Sequence, residues 1–249
     1  MPRYCANLTW LFTELPLIER VRAASEAGFG GVEILSPYDV NAQELRDACV
    51  MSNVKVVLIN CPPPNYTGGQ QGWAAVPELA PRFRRDFART MRYAGVLKPE
   101  FVHIMSGVAD GPEAEACLID NIRWAAAEAP KQKLTLEVIN RRTMPGYFLH
   151  DYDQAARILD AVAAPNVELQ FDTFHAYQIT GDVTAAWEAH GARAGHVQVG
   201  NVDDRHEPGA APFDHQAFFE MLDAVGYRGW VSGEYKPART TVEGLDWIR

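Results

Sequence analysis

Leu134-Thr135-Leu136-Glu137 is a short apolar run closed by a carboxylate, and the plan recurs in Leu169-Gln170-Phe171-Asp172, His196-Val197-Gln198 and Val231-Ser232-Gly233-Glu234. In a chain that alternates strands with helices, the carboxyl ends of consecutive strands converge in space. Residues far apart in sequence can then build one coordination shell. Working outward from these four runs, further β-branched or apolar segments at 4–8, 31–35, 54–60 and 101–105 read as strands. The quoted runs extend as strands 134–139, 167–172, 194–200 and 229–235, and longer helix-period segments separate them.

About eight such units is the number a closed α/β barrel requires, and 249 residues is its usual length. The expected fold is a single (β/α)8 TIM barrel over residues 1–249, with an open doubly wound sheet as the alternative. Pro16 opens a helix whose Leu17, Ile18, Val21 and Ala24 form one apolar face, ending at Gly28. Asn41 with Glu44 has capping-box spacing, and Asp182 and Asp214 stand where the sixth and seventh helices need acceptors for exposed N–H groups. Leu118, Ile122, Ala125 and Ala126, then Ile158, Leu159 and Val162, supply inward stripes for the fourth and fifth helices.

Composition narrows the function classes. With 47% hydrophobic and 22% charged residues the chain is globular. A net charge of -9 and a pI near 5.3 argue against a nucleic-acid partner, which calls for a basic stripe. No stretch has the length of a membrane span or the form of a secretion signal, so the expected setting is cytoplasmic with no membrane partner. Cys5, Cys49, Cys61 and Cys117 lack the close pairing of zinc or redox motifs and read as buried thiols.

Three long connections, 62–73, 140–150 and 201–212, fall on the face where barrel loops carry chemistry. The first combines prolines, glycines and an aromatic tip, a composition suited to a lid or an ordered Ω-loop. Glu137, Asp172, Gln198 and Glu234 close strands five to eight and present hard oxygen donors on four adjacent staves. Without cysteine they suit one divalent ion, Mg²⁺ or Mn²⁺, with Co²⁺ or Zn²⁺ also accommodated. His175 and His196 share the same strand ends and can hydrogen-bond a substrate oxygen or a ligand carboxylate. His175 is the candidate substrate contact, whereas His196 can instead point into the barrel wall. The remaining histidines, His103 among them, have no ligand spacing and receive no role.

These motifs together resemble the hydroxypyruvate isomerase family of the xylose-isomerase-like barrel superfamily, over nearly the whole chain. The resemblance rests on Tyr-Cys-Ala-Asn-Leu (4–8), Gly-Phe-Gly-Gly-Val-Glu (28–33), Leu-Glu-Val-Ile-Asn (136–140) and Met-Pro-Gly-Tyr-Phe-Leu (144–149). It continues through Gln-Phe-Asp-Thr-Phe-His (170–175), Gly-His-Val-Gln (195–198), Arg-His-Glu-Pro-Gly (205–209) and Gly-Glu-Tyr-Lys-Pro (233–237). Glutamine at 198, where the related sugar 3-epimerases typically carry histidine, sides with the hydroxypyruvate isomerases. Departures are Glu-Val-Ile-Asn for the usual Glu-Pro-Ile-Asn, Gly209-Ala210-Ala211 for a Gly-x-Gly turn, and Asn201-Val202-Asp203-Asp204. They leave the metal shell intact and bear on substrate choice.

The resemblance implies that Glu137, Asp172, Gln198 and Glu234 bind the ion, that Glu137 and Glu234 also form an acid–base pair, and that the chain assembles as a homo-oligomer. The chemistry so implied is proton transfer between the two adjacent carbons that form an enediolate. A substrate carboxylate would want a cation. Arg205 is the preferred candidate, ahead of Arg141, Arg142 and Lys236. Glu33, Asn60 and Asn7 are weaker candidates for positioning hydroxyls.

The expected activity is interconversion of hydroxypyruvate and tartronate semialdehyde. A 2-oxo-tetronate isomerase or a ketose 3-epimerase on the same scaffold is the near alternative, and a sugar-acid-binding barrel the non-enzymatic one. An apurinic endonuclease of the superfamily would need a histidine-rich multi-zinc centre and a basic face, which the sequence does not supply.

Overall fold

Eight parallel strands close on themselves in this computed structural model, which describes residues 2–66 and 68–248. They are β1 Arg3–Asn7, β2 Gly31–Glu33, β3 Lys55–Cys61, β4 Phe101–Ile104, β5 Lys133–Glu137, β6 Val167–Asp172, β7 Ala194–Val199 and β8 Trp230–Gly233. β1 pairs with both β2 and β8, so the sheet has no edge and the open alternative falls. The eight expected strands all exist. Several stop earlier than the apolar runs that announced them; Val138 and Ile139, for example, stay buried beyond the end of β5.

The surrounding helices are α1 Leu17–Glu26, α2 Ala42–Met51, α3 Ala80–Leu97, α4 Gly111–Glu128, α5 Tyr152–Val162, α6 Thr173–Thr180, α7 Val183–His190 and α8 His215–Ala224. Asn41 accepts the Gln43 and Glu44 N–H groups at the start of α2. Asp182 and Asp214 likewise accept from Ala185 and Ala217. The numbering of the last two shifts by one, because α6, unforeseen from the sequence, begins directly at Asp172. The inward stripes of α4 and α5 are buried as expected, with Leu159 only half-buried.

Because side chains alternate along a strand, one parity class of each stave fills the barrel interior. Toward the amino end of the strands the filling is apolar: Cys5, Val57, Phe101 and Trp230 belong to one buried cluster. Above it lies a polar layer in which Asn7, Glu33, Thr135, Gln170, His196 and Gln198 are all buried. The next interior positions along β5, β6 and β8 are Glu137, Asp172 and Glu234. Strand alternation has thus carried the chain from a hydrophobic plug to a cluster of acids.

The four cysteines are free, with three buried and Cys117 half-buried. Of the long connection 62–73, Thr67 lies outside the described residues, as do the termini Met1 and Arg249. Trp73 closes the loop from within. It is buried, donates its indole N–H to Asp86 Oδ2 at 3.0 Å and is covered by the Arg82 guanidinium at 3.8 Å, so it anchors the loop. Gly72, at φ +91, lets this segment approach 105–107, where a Cβ would meet Met105 O at 2.7 Å. Tyr66 is the exposed ring instead, tied to Asp39 Oδ1 at 2.7 Å.

Candidate active site

A cavity of about 430 Å³ opens at the carboxyl end of the strands. Glu137, His175, Arg205 and Glu234 line it, with His103, Asn60, Thr9, Trp10, Pro62, Pro64 and Gln71 around the wall. Four of the six residues singled out from the sequence therefore face one space. Asp172 sits just beneath. Its Oδ1 accepts the Phe174 N–H at 2.7 Å and so caps α6, while Oδ2 faces the site. One carboxylate both starts a helix and serves the cluster.

Arg205 Nη2 binds Asp172 Oδ2 at 3.2 Å and Glu234 Oε1 at 3.1 Å. Its Cζ lies 4.8 Å from the Phe174 ring centroid. The backbone at Arg205 is left-handed, φ 57, held by its N–H to Asn201 O and by its carbonyl accepting the Lys236 N–H, each 3.0 Å. The competing cations point elsewhere: exposed Arg141 donates to Tyr147 O, exposed Arg142 to Gln178, and Lys236 is exposed.

Glu137 lies between two imidazoles, with His175 Nε2 3.7 Å from Oε1 and His103 Nδ1 3.7 Å from Oε2. His103 received no role from the sequence, because its place emerges only when β4 is laid beside β5. It also contacts Asn60 Oδ1 at 3.2 Å. Donor atoms of Glu137, Asp172 and His175 all lie within 4.8 Å of one another, the spacing of a metal-binding group.

Gln198 is placed differently. It is fully buried in the polar layer, giving its Nε2 protons to Glu33 Oε1 at 2.8 Å while its Oε1 accepts from Gln170 at 2.7 Å. Glu33 also takes hydrogen bonds from Asn7 at 2.7 Å and from His196 Nε2 at 2.7 Å. Asn7, Glu33 and His196 are thus struts inside the barrel, and only Asn60 of the weaker candidates reaches the cavity.

Electrostatics follow from burial. Burial and the neighbouring Glu234 and Asp172 charges push the Glu137 carboxyl well up, and burial pushes Glu234 up to about 8 although Arg205 pulls it back. Burial also holds His175 down to about 4 against the pull of Asp172, and His103 to about 3. The imidazoles are neutral at pH 7, so their contacts with Glu137 are not ion pairs.

The Xylose isomerase-like TIM barrel family matches residues 21–249. A "2-oxo-tetronate isomerase" of Cupriavidus necator is 36% identical over 255 residues, covering 100% of this chain and 98% of that protein. A "hydroxypyruvate isomerase" of Escherichia coli is 32% identical over 254 residues, with coverage of 100% and 98%. A crystal structure described as AP endonuclease, family 2, from Brucella melitensis superposes with a TM-score of 0.95 at 40% identity, covering 100% and 98%.

Proposed function

The chain belongs to the xylose isomerase-like TIM barrel family and is an isomerase, and on that premise we propose that it moves the carbonyl of a short 2-oxo acid from C2 to C3 through an enediolate. Hydroxypyruvate and tartronate semialdehyde (2-hydroxy-3-oxopropanoate) are the reference pair. The observation that carries the reading is the meeting of three buried carboxylates, one guanidinium and a neutral imidazole donor around one cavity floor.

The reaction removes a proton from C3, returns one to C2, and exchanges the protonation of the two oxygens. Glu137 and Glu234 line the cavity, and burial raises both carboxyls, Glu234 to about 8, so that each holds a proton more readily than an exposed acid. Arg205 offers the substrate carboxylate a cation already framed by Phe174. His175 gives a substrate oxygen a neutral donor.

Glu137, Asp172, Gln198 and Glu234 would hold one divalent ion, Mg²⁺ or Mn²⁺ by the hardness of the donors. The residues fit such an ion, since Arg205 pairs Asp172 and Glu234 while Glu137 stands between neutral imidazoles, and the Gln198 oxygen keeps a second lone pair beyond its bond to Gln170. When bound, the ion polarises the carbonyl and takes up negative charge.

A second reading, 2-oxo-tetronate, is favoured by the cavity: about 430 Å³ exceeds the need of a three-carbon acid, and Thr9 and Asn60 add polar groups to the wall. C3 then carries a hydroxymethyl group in place of a hydrogen, and the enediolate is unchanged. An endonuclease acting on a polyanion would be poorly served by a chain of net charge -9.

The test is NMR in D₂O of metal-stripped protein with each acid, before and after Mg²⁺ or Mn²⁺. Metal-dependent product carrying deuterium at C2 is expected. An unmoved carbonyl with inversion at C3 would make it an epimerase, and silence on both acids with either metal would overturn the assignment.

A further inference from the structure

Asn140, buried three residues beyond β5, has its side chain fixed at both ends. Its Oδ1 accepts the backbone N–H groups of Arg142 and Thr143, each at 3.0 Å, so only the oxygen of the amide can face that turn. Nδ2 is thereby directed at His175 Nδ1, 2.7 Å away. The Asn140 backbone N–H approaches the same ring nitrogen at 3.3 Å.

Two donors converging on Nδ1 leave that nitrogen no room for a hydrogen. The ring proton of the neutral imidazole therefore sits on Nε2, the atom 3.6 Å from Asp172 Oδ2 and 3.7 Å from Glu137 Oε1. A nitrogen that carries its proton has no lone pair for a metal ion. By distance alone His175 joins Glu137 and Asp172 in a ligand group, and its tautomer takes it out again.

We infer that Asn140 is a positioning residue that locks His175 as an Nε2–H donor, withholding this imidazole from metal coordination and reserving it for an oxygen in the cavity. The identity of that oxygen, a substrate carbonyl or hydroxyl, rests on the function proposed above; the tautomer and the exclusion from the ligand shell do not. The distinction has chemical weight, because a donor stabilises charge that develops on the substrate, whereas a third ligand would occupy a position on the ion.

The experiment is a long-range ¹H–¹⁵N correlation on histidine-labelled protein, metal-free and Mg²⁺-loaded, with His175 assigned by the signals lost in His175→Gln. The expected wild-type pattern is an unprotonated Nδ1 and a protonated Nε2 in both states. Asn140→Asp keeps an oxygen for the turn and sets a second oxygen against His175, so Nδ1 gains a proton. Mn²⁺ titration gives the independent readout: His175→Gln keeps a side-chain donor beside Glu137 and Asp172, so Mn²⁺ binding persists with no more than the roughly 10–100-fold loss of an outer-shell change.

A wild-type Nδ1 that carries the proton, an Nε2 that loses its proton on Mg²⁺ addition, or abolished Mn²⁺ binding in His175→Gln would each overturn the inference. None of these readouts needs turnover. A chain that shows the expected tautomer but isomerises neither acid would retain the lock and lose the proposed function.

Discussion

The two ends of the barrel treat charge in opposite ways. At the amino end of the strands charges are matched: Lys133 Nζ meets Glu168 Oε1 at 3.4 Å, the Trp230 indole N–H bonds Glu100 Oε2 at 2.9 Å, and the Arg3 guanidinium lies 4.4 Å over the Trp230 ring. At the carboxyl end Arg205 pairs with Asp172 and Glu234, and Glu137 beside them meets imidazoles instead of a cation. The cavity at the amino end is the larger, about 750 Å³ against about 430 Å³, and its lining mixes cations with acids, Arg3 and Lys133 beside Glu100 and Glu168. Unbalanced buried charge, more than volume, marks the end where a cation and a charged substrate belong.

The largest effect expected from breaking this contrast is catalytic. Glu137→Gln or Glu234→Gln should lower kcat by about 10³-fold or more while thermal unfolding stays at or above the wild-type temperature, since each removes a repelling carboxylate. The paired change Lys133→Met with Glu168→Gln at the other end should leave kcat within about twofold.

Next is the guanidinium. Arg205→Met in metal-stripped protein leaves Asp172 and Glu234 without their cation and should cost on the order of 2 kcal/mol by denaturant titration, a figure discounted for the partial exposure of Arg205. Added Mn²⁺ should recover more stability in this variant than in wild type.

The pH dependence sharpens the contrast further. Glu234, raised to about 8 in the fold, binds a proton that the unfolded chain has released above about 4.5, so it stabilises at low pH and that contribution fades as pH rises toward 8. His175 and His103, depressed to about 4 and 3, act oppositely, but only below the ordinary histidine value near 6.5. Between pH 6.5 and 8 the carboxyls act unopposed. The metal-stripped protein should therefore lose Tm across that window, and Glu234→Gln should flatten the slope.

The smallest effect belongs to the matched end. Lys133→Met alone should change stability by under about 1 kcal/mol, because the pair is half open to solvent. A loss several times larger would mean that this end bears more of the fold than its paired charges suggest.

The barrel was legible because eight apolar runs and the helix stripes between them have distinct periods. The acids were legible because each closes a run. What joins residues across the closed sheet was not: Glu33 meets His196 although 163 positions separate them, a contact that exists only once β1 has paired with β8. Gln198 stands near the end of β7 as its run implies, and its bonds to Gln170 and Glu33 from two other staves are invisible within that run. α6 escaped notice because it starts within the same motif that ends β6 and buries only its first residues. That Trp73 anchors the loop was hidden because its partner, Asp86, comes from α3.

The most direct test of the paired-glutamate account is solvent deuterium incorporation followed by NMR for Glu137→Gln and Glu234→Gln, with Mg²⁺ present and hydroxypyruvate or 2-oxo-tetronate as substrate. The expected result is that neither variant forms product and that exchange at C3 disappears in the one that removes that proton. Product formation at the wild-type rate by either variant would contradict the account.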